Sequence, residues 1–286
     1  MSAETGGMAD GRPEEAAAQK QRGDVYSQRS NPAFEAVLES RTAARDAAFF
    51  LPFLRPGMRV MDVGCGPGTI TVGLAEVVAP GRVDGFDLQP ALVKRARAIA
   101  SERRVQNVSF SVANVYKLPF SARTFDAVFA NAVLMFMRNP LAALTEIRRV
   151  LRPGGVVGLR DPDLGGKFLV PTTPLLQQWL DLRIRVRKHD GGDSFRGRYH
   201  RGLLLQAGFV RARAIGSVST AGSTEETRHA ASFEKAQLDG LSRTALAEGW
   251  LNQDEAEAMG RELVAWGERP DAFTATVWCE AVGWVD

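Results

Sequence analysis

The chain has 286 residues, 45% hydrophobic and 24% charged, enough for one large domain with a real core, or one domain carrying a sizeable insertion. Lys and Arg number 36 against 33 Asp and Glu, a net charge of +3, whereas a dedicated nucleic-acid binder clusters a larger surplus of cations. The two cysteines, Cys65 and Cys279, lie far apart and form neither a disulfide framework nor a zinc spacing; with no uncharged apolar run of bilayer length, a cytoplasmic protein is expected, with no metal and no nucleic-acid or membrane partner.

Residues 1–21 are polar and rich in Gly, Ala and Glu; they lack the apolar core of a signal peptide and are expected to be a disordered tail. Within residues 22–50, Pro32 to Phe50 reads as one helix, with Asn31 as its cap and Phe34, Val37, Leu38, Ala44, Ala48 and Phe49 near helical spacing. Strands and helices then alternate: strand Met58–Val63, helix Thr69–Val78, strand Arg82–Asp87, helix Pro90–Glu102, strands Val108–Ala113 and Phe125–Asn131, helix Pro140–Val150, strand Val156–Arg160. Such alternation predicts an α/β fold with a doubly wound, mostly parallel sheet, its core spanning residues 51–162.

The second half is less regular. Residues 163–208 are expected to be a helical segment, with helices over Pro174–Lys188 and Arg198–Ala207. Within 209–286, Phe209–Val218 and Phe273–Val285 read as the final two strands. Between them residues 220–268 are expected to form a helical cap insertion, with helices over Glu225–Leu238 and Asp254–Trp266. The basic run Arg183, Arg185, Arg187, Lys188 reads as a solvated helix face. Among Trp179, Phe195, Trp250, Trp266, Phe273 and Trp278, most are expected in core packing and one or two in a pocket for a ring-containing molecule.

The densest chemical signal is Val60-Met61-Asp62-Val63-Gly64-Cys65-Gly66-Pro67-Gly68-Thr69. Glycines at alternate positions between a strand and a helix make a tight turn whose backbone a ligand can approach without Cβ obstruction, beside the free amides of a helix start. Asp87 ends the next strand, where a carboxylate can accept ribose hydroxyls. The spacing is G-x-G-x-G, not the G-x-G-x-x-G of dinucleotide sites. Asp62 beside the turn would repel a pyrophosphate and can pair with an ammonium, which favours a ligand with an amino-acid group over a nicotinamide dinucleotide. An NAD(P)-dependent oxidoreductase and a non-catalytic nucleoside-binding module are the alternatives; methylation of RNA or protein is a further one, and the absence of a basic patch counts against RNA.

Asp62-Val63-Gly64-Cys65-Gly66-Pro67-Gly68 resembles the first motif of the class I S-adenosylmethionine-dependent methyltransferases. Asp87 matches their acid after the second strand, and Leu118-Pro119-Phe120 with Phe125-Asp126-Ala127-Val128, then Leu151-Arg152-Pro153-Gly154-Gly155, resemble later segments. The resemblance runs from about Arg55 to Asp161 and implies a Rossmann-like seven-stranded sheet with an antiparallel last strand. It implies S-adenosylmethionine as cofactor and methyl transfer to a small, aromatic or heterocyclic acceptor, by a monomer or homodimer. It further implies that Gly64, Gly66 and Gly68 line the methionine and ribose, that Asp87 holds the ribose hydroxyls, and that Leu88 packs on adenine. Asn114 stands where many relatives have an Asp reaching the adenine amino group, with Val115 following it, and Asn131 stands where relatives meet cofactor and substrate. By the same resemblance residues 22–50 form a lid, Tyr26 lies over the sulfonium or the substrate, and Arg41 pairs with the cofactor carboxylate. For a base, the candidates are Tyr116 and His229, with His200 next.

Overall fold

A computed structural model describes residues 32–286 of the chain; the expected tail over 1–21 and Tyr26 lie outside the described residues. The order is α1 Pro32–Glu39, α2 Ala43–Asp46, β1 Arg59–Val63, α3 Thr69–Val78, β2 Arg82–Asp87, α4 Pro90–Glu102, β3 Val108–Val112 and β4 Phe125–Asn131. There follow α5 Pro140–Val150, β5 Leu151–Val170, α6 Pro174–His189, α7 His200–Gln206, β6 Val210–Ala221, α8 Thr224–Ala247, α9 Gln253–Gly267 and β7 Phe273–Trp284.

The seven strands form one sheet in the order β3-β2-β1-β4-β5-β7-β6. Pairs β3·β2, β2·β1, β1·β4 and β4·β5 are parallel, and β7 runs antiparallel to both β5 and β6. Alternating side chains of β1 feed two cores: Met61 and Val63 pack with Leu144 and Ile147 of α5 and Leu204 of α7, whereas Val60 packs with Ala43, Leu74 and Val78 of α2 and α3. Helices therefore cover both faces, as a mostly parallel sheet requires, and the chain order reverses between β1 and β4, where open α/β sheets gather ligands.

Four expectations about elements need correction. The helix expected over Pro32–Phe50 is broken: α1 ends at Glu39, and α2 restarts at Ala43 because the Thr42 hydroxyl accepts from the Arg45 amide at 3.3 Å. The apolar spacing is helical on both sides, and only the cap chemistry marks the break. The strand expected over Val156–Arg160 extends from Leu151 to Val170, because β7 pairs along nearly its whole length. The helical segment expected over 163–208 therefore begins inside a strand. Finally, the first cap helix runs to Ala247 rather than Leu238 and begins at a capping box of Ser223 and Glu226.

The cap has its own core. Leu176, Trp179 and Val186 of α6 pack with Leu238 and Leu241 of α8, with Leu263 and Trp266 of α9, and with Leu169 at the far end of β5. Trp179 and Trp266 are wholly buried there. The cap is thus three helices, one from before β6 and two from the insertion after it, seated on the projecting end of β5.

Candidate active site

The turn after β1 is held by three left-handed glycines, Gly64 at φ +68°, Gly66 at +54° and Gly68 at +82°, a region that L side chains rarely adopt. Their surroundings differ. A Cβ on Gly64 would strike Val133, and one on Gly68 would stand 2.8 Å from Ala96 of α4 and 3.0 Å from Phe110. A Cβ on Gly66 would meet nothing within 4 Å. Gly68 therefore lets α3 and α4 pack closely, while Gly66 presents bare backbone to open space.

That space is a cavity of about 370 Å³ running from the turn to the underside of the cap. At one end Asp62, Gly64, Gly66, Asp87, Leu88, Val115 and Asn131 line it. Asp87 accepts the Gly66 amide at 3.0 Å and the Gln89 amide at 2.9 Å. Burial raises its carboxyl above the ordinary range, outweighing the amide hydrogen bonds that would lower it. Asp62 is 3% exposed and accepts the Thr71 hydroxyl at 2.6 Å. Burial pushes its carboxyl up to about 7, against that hydrogen bond and with help from the Asp87 charge. Among the described residues no cation pairs with this carboxyl, and an ammonium entering the cavity would supply one.

Asn131 ends β4, and its Oδ1 accepts from Arg160 Nη1 at 3.2 Å. Its buried Nδ2 has no hydrogen-bond partner among the described residues, a donor left for a ligand. Arg160 is itself buried, with Asp46 at 3.3 Å, Glu280 at 3.2 Å and the Trp278 ring 3.7 Å away. Through it α2, β4, β5 and β7 meet at the floor of the site. Arg41, in the break between α1 and α2, also lines the cavity.

Other sequence-derived candidates are placed elsewhere. Gly68 is absent from the lining, in keeping with its packing role. Asn114 is exposed outside the lining, and its side chain accepts the Tyr116 amide at 3.0 Å. Tyr116 packs against the core beneath, and its phenol oxygen accepts the Asn139 amide at 3.4 Å. His229 lies on the exposed side of α8, whereas Ala230, Phe233, Glu234 and Gln237 of the same helix line the cavity. His200 is fully buried and paired with Asp161 at 2.8 Å, away from the lining. Neither Tyr116 nor His229 lines the cavity: the loop after β3 turns the Tyr116 ring onto the core, and His229 takes the outer side of α8.

The cap end was largely illegible beforehand. Lys167, Arg183, Arg187, Glu234 and Gln237 line it. The solvated-face reading of the basic run fails for Arg183 and Arg187, whose residues are 9% and 7% exposed. The available signal was their spacing: Trp179, Arg183 and Arg187 recur every four residues, on the same stripe as Leu182 and Val186. Of the six aromatics singled out, Trp278 alone lines the cavity.

The fit to a nucleoside carrying an amino acid is direct: exposed turn backbone at Gly66, an acid at Asp87, an uncompensated acid at Asp62 and a spare donor at Asn131. Comparison with known proteins agrees. The sequence pattern defining the methyltransferase domain matches residues 54–189. The chain is similar to ltbC of Aspergillus luteorubrus, named a probable methyltransferase, with 33% identity over 86% of this chain and 92% of that protein. It also resembles the aklanonic acid methyltransferase DauC of a Streptomyces species, with 35% identity over 43% of this chain and 59% of that one. Among solved structures, the phosphoethanolamine N-methyltransferase 2 of Haemonchus contortus, bound to phosphomonomethylethanolamine and S-adenosylhomocysteine, superposes with a TM-score of 0.58. It covers 91% of this chain and 58% of its own at 15% identity, a likeness of fold. The cradle after β1, the strand order and the relatives together place this chain in the class I S-adenosylmethionine-dependent methyltransferases.

Proposed function

We propose that the enzyme methylates a small organic molecule with an apolar ring body, held between the sheet and the cap. The observation that carries this reading is the continuity of the cavity: the cradle around Gly66 and Asp87 opens into a chamber walled by Phe136, Met137, Phe233, Leu241 and Trp278. A chamber roofed by helices suits a small acceptor better than a duplex or a protein surface, which would need an open face. Among the described residues no helix is long and apolar enough to cross a membrane. DauC is named for an organic acid, in line with a metabolite as acceptor.

S-adenosylmethionine supplies a methyl carbon on a positive sulfur, and the sulfur keeps the electron pair of the C–S bond when the acceptor's lone pair takes the methyl. The chain's residues bind, orient and exclude water. In this reading the Gly64 and Gly66 backbone lies along the methionine and ribose, the Asp87 carboxylate accepts the ribose hydroxyls, and Leu88 and Val115 flank the adenine. Asp62 pairs with the ammonium, Arg41 with the carboxylate, and Asn131 Nδ2 donates at the floor. The pairing of Asp87 with the Gly66 amide fixes turn and acid as one unit. Incubating the protein with S-adenosylmethionine labelled in the methyl group and a metabolite extract should yield a labelled small molecule. Label recovered only in protein or RNA would refute the assignment.

A further inference from the structure

Lys167, Arg183 and Glu234 come from three elements, β5, α6 and α8, and meet on the cavity wall beneath the cap. Lys167 Nζ lies 3.1 Å from Glu234 Oε1, and Arg183 Nη1 lies 2.9 Å from Glu234 Oε2. The same Oε2 accepts the Trp179 indole N–H at 2.9 Å, and Arg183 Nη2 donates to Gln237 at 3.3 Å. All three charged side chains are nearly excluded from solvent, at 7%, 9% and 1% exposure. Burial would raise the Glu234 carboxyl, but the charges of Arg183 and Lys167 outweigh it and hold it below its ordinary value. The carboxylate is therefore ionised, and two cations share it.

A buried pair of one cation and one anion could be only a packing device. Two cations on one carboxylate leave a surplus positive charge in a low-dielectric wall, which costs free energy unless another anion arrives. The backbone serves Lys167 specifically. Between the pairs Asp163·Val277 and Phe168·Ala275, four residues of β5, 164 to 167, stand against Thr276 alone. This is a bulge, a device that re-aims a side chain next to a site. Gly166 fits there because a Cβ would strike Val277, and the Gly165 amide is fixed by Asp163 at 2.8 Å. Asp163 is in turn gripped by Arg198.

We propose that this wall binds an anionic oxygen of the methyl acceptor, chiefly through the Lys167 ammonium, so that the acceptor is an organic acid with an apolar ring body. The inference rests on the proposed methyl transfer to a small ring compound and names its chemical class. Glu234 and Arg183 act as positioning residues: they hold Lys167 while leaving its remaining N–H donors for the ligand. The acceptor's ring lies toward Phe136, Phe233 and Trp278, and its acid group faces away from the cradle's carboxylates Asp62 and Asp87, which would repel it.

The test uses a matched pair of probes, 3-hydroxy-2-naphthoic acid and its carboxamide, titrated calorimetrically into the full-length protein with and without S-adenosylhomocysteine. The wild type should bind the acid about ten-fold more tightly than the amide, the scale of one charge-assisted hydrogen bond. Lys167→Met should reduce the preference to within about two-fold, while Lys167→Arg, which keeps the charge, should retain most of it. S-adenosylhomocysteine affinity should be unchanged in both variants, which also shows that they are folded. Equal binding of acid and amide by the wild type, binding of neither, or an acid preference that survives in Lys167→Met would each overturn the proposal. Failure of S-adenosylhomocysteine to bind the wild type would instead strike the cofactor reading, since the acid-amide comparison is also made without it.

Discussion

Replacing Asp62 with Asn should stabilise the ligand-free protein and weaken it as an enzyme, two effects of opposite sign from one buried carboxyl. The Asp62 carboxyl is 3% exposed, accepts one hydroxyl from Thr71 and is pushed up to about 7 by burial; in the unfolded chain it titrates near 3.8. Between those values the native state holds a proton that the unfolded state has released, so unfolding free energy falls as pH rises through that window. The full span corresponds to roughly 4 kcal/mol at about 1.36 kcal/mol per pH unit, and water entering the open cavity brings it nearer ~2 kcal/mol. An amide in place of the carboxyl has nothing to ionise and can still accept from Thr71 through its oxygen. Thermal unfolding should therefore show Asp62→Asn above the wild type by roughly 4 °C at about pH 8, with the difference vanishing near pH 4. Calorimetric titration with S-adenosylhomocysteine should show the reverse, a loss of about 2 kcal/mol or ~30-fold at about pH 8. Wild-type affinity should also rise from about pH 6 to about pH 8 as Asp62 ionises, and the variant's should stay flat. A variant less stable than wild type on the alkaline side would show that burial does not oppose the Asp62 charge, and one with undiminished affinity would show that no ammonium is received there.

Asp87→Ala should cost about 2 kcal/mol of cofactor binding, since ribose hydroxyls and the Gly66 amide lose their acceptor at once; titration calorimetry reads it, and an unchanged Kd removes Asp87 from the site. Gly66→Val should abolish binding while costing only about 1–2 kcal/mol of stability, because the added side chain meets no protein atom and is penalised chiefly by its left-handed φ. Gly68→Ala should do the opposite, losing about 2 kcal/mol in chemical denaturation through crowding against Ala96 and Phe110, while the folded protein keeps its affinity. Arg160→Met should destabilise by about 3 kcal/mol, as Glu280 is left buried without a cation and Asp46 keeps only the exposed Arg45; adding Glu280→Gln should recover part of the loss in the same assay.

The cofactor half was legible because its chemistry is local. A turn that must present backbone needs glycine in sequence order, so Gly64, Gly66 and the strand-ending Asp87 announce themselves. Gly68 shows the limit of that reading: the same pattern holds two cavity-lining glycines and one needed for helix packing, and only the position of α4 separates them. The cap end of the cavity is assembled from distant segments. Lys167, Arg183 and Glu234 carry no shared motif, and a helix arginine is ordinarily solvated, so the four-residue spacing from Trp179 is the one local sign that Arg183 is inside, and the packing of α6 on α8 is what places it there. Tyr116 and His229 lie outside the cavity lining for a related reason: proximity in sequence to a strand end or a cap helix does not fix which way a ring turns. The extra length of β5 was hidden because Pro162, Gly165 and Gly166 look like strand breakers, whereas Pro162 pairs in register with Trp278 and the two glycines occupy the stretch where the ladder slips.

That slip gives the protein a place to change its diet. Sheet pairing is intact on both sides of residues 164–167, at Asp163·Val277 and again at Phe168·Ala275, so the strand already tolerates slack there. Adding or removing a residue in this stretch would swing a new side chain toward the chamber and leave the cradle around Gly66 untouched. A lineage of such enzymes could thus exchange one acceptor for another by small edits at a single loose stitch, without re-inventing its grip on the methyl donor.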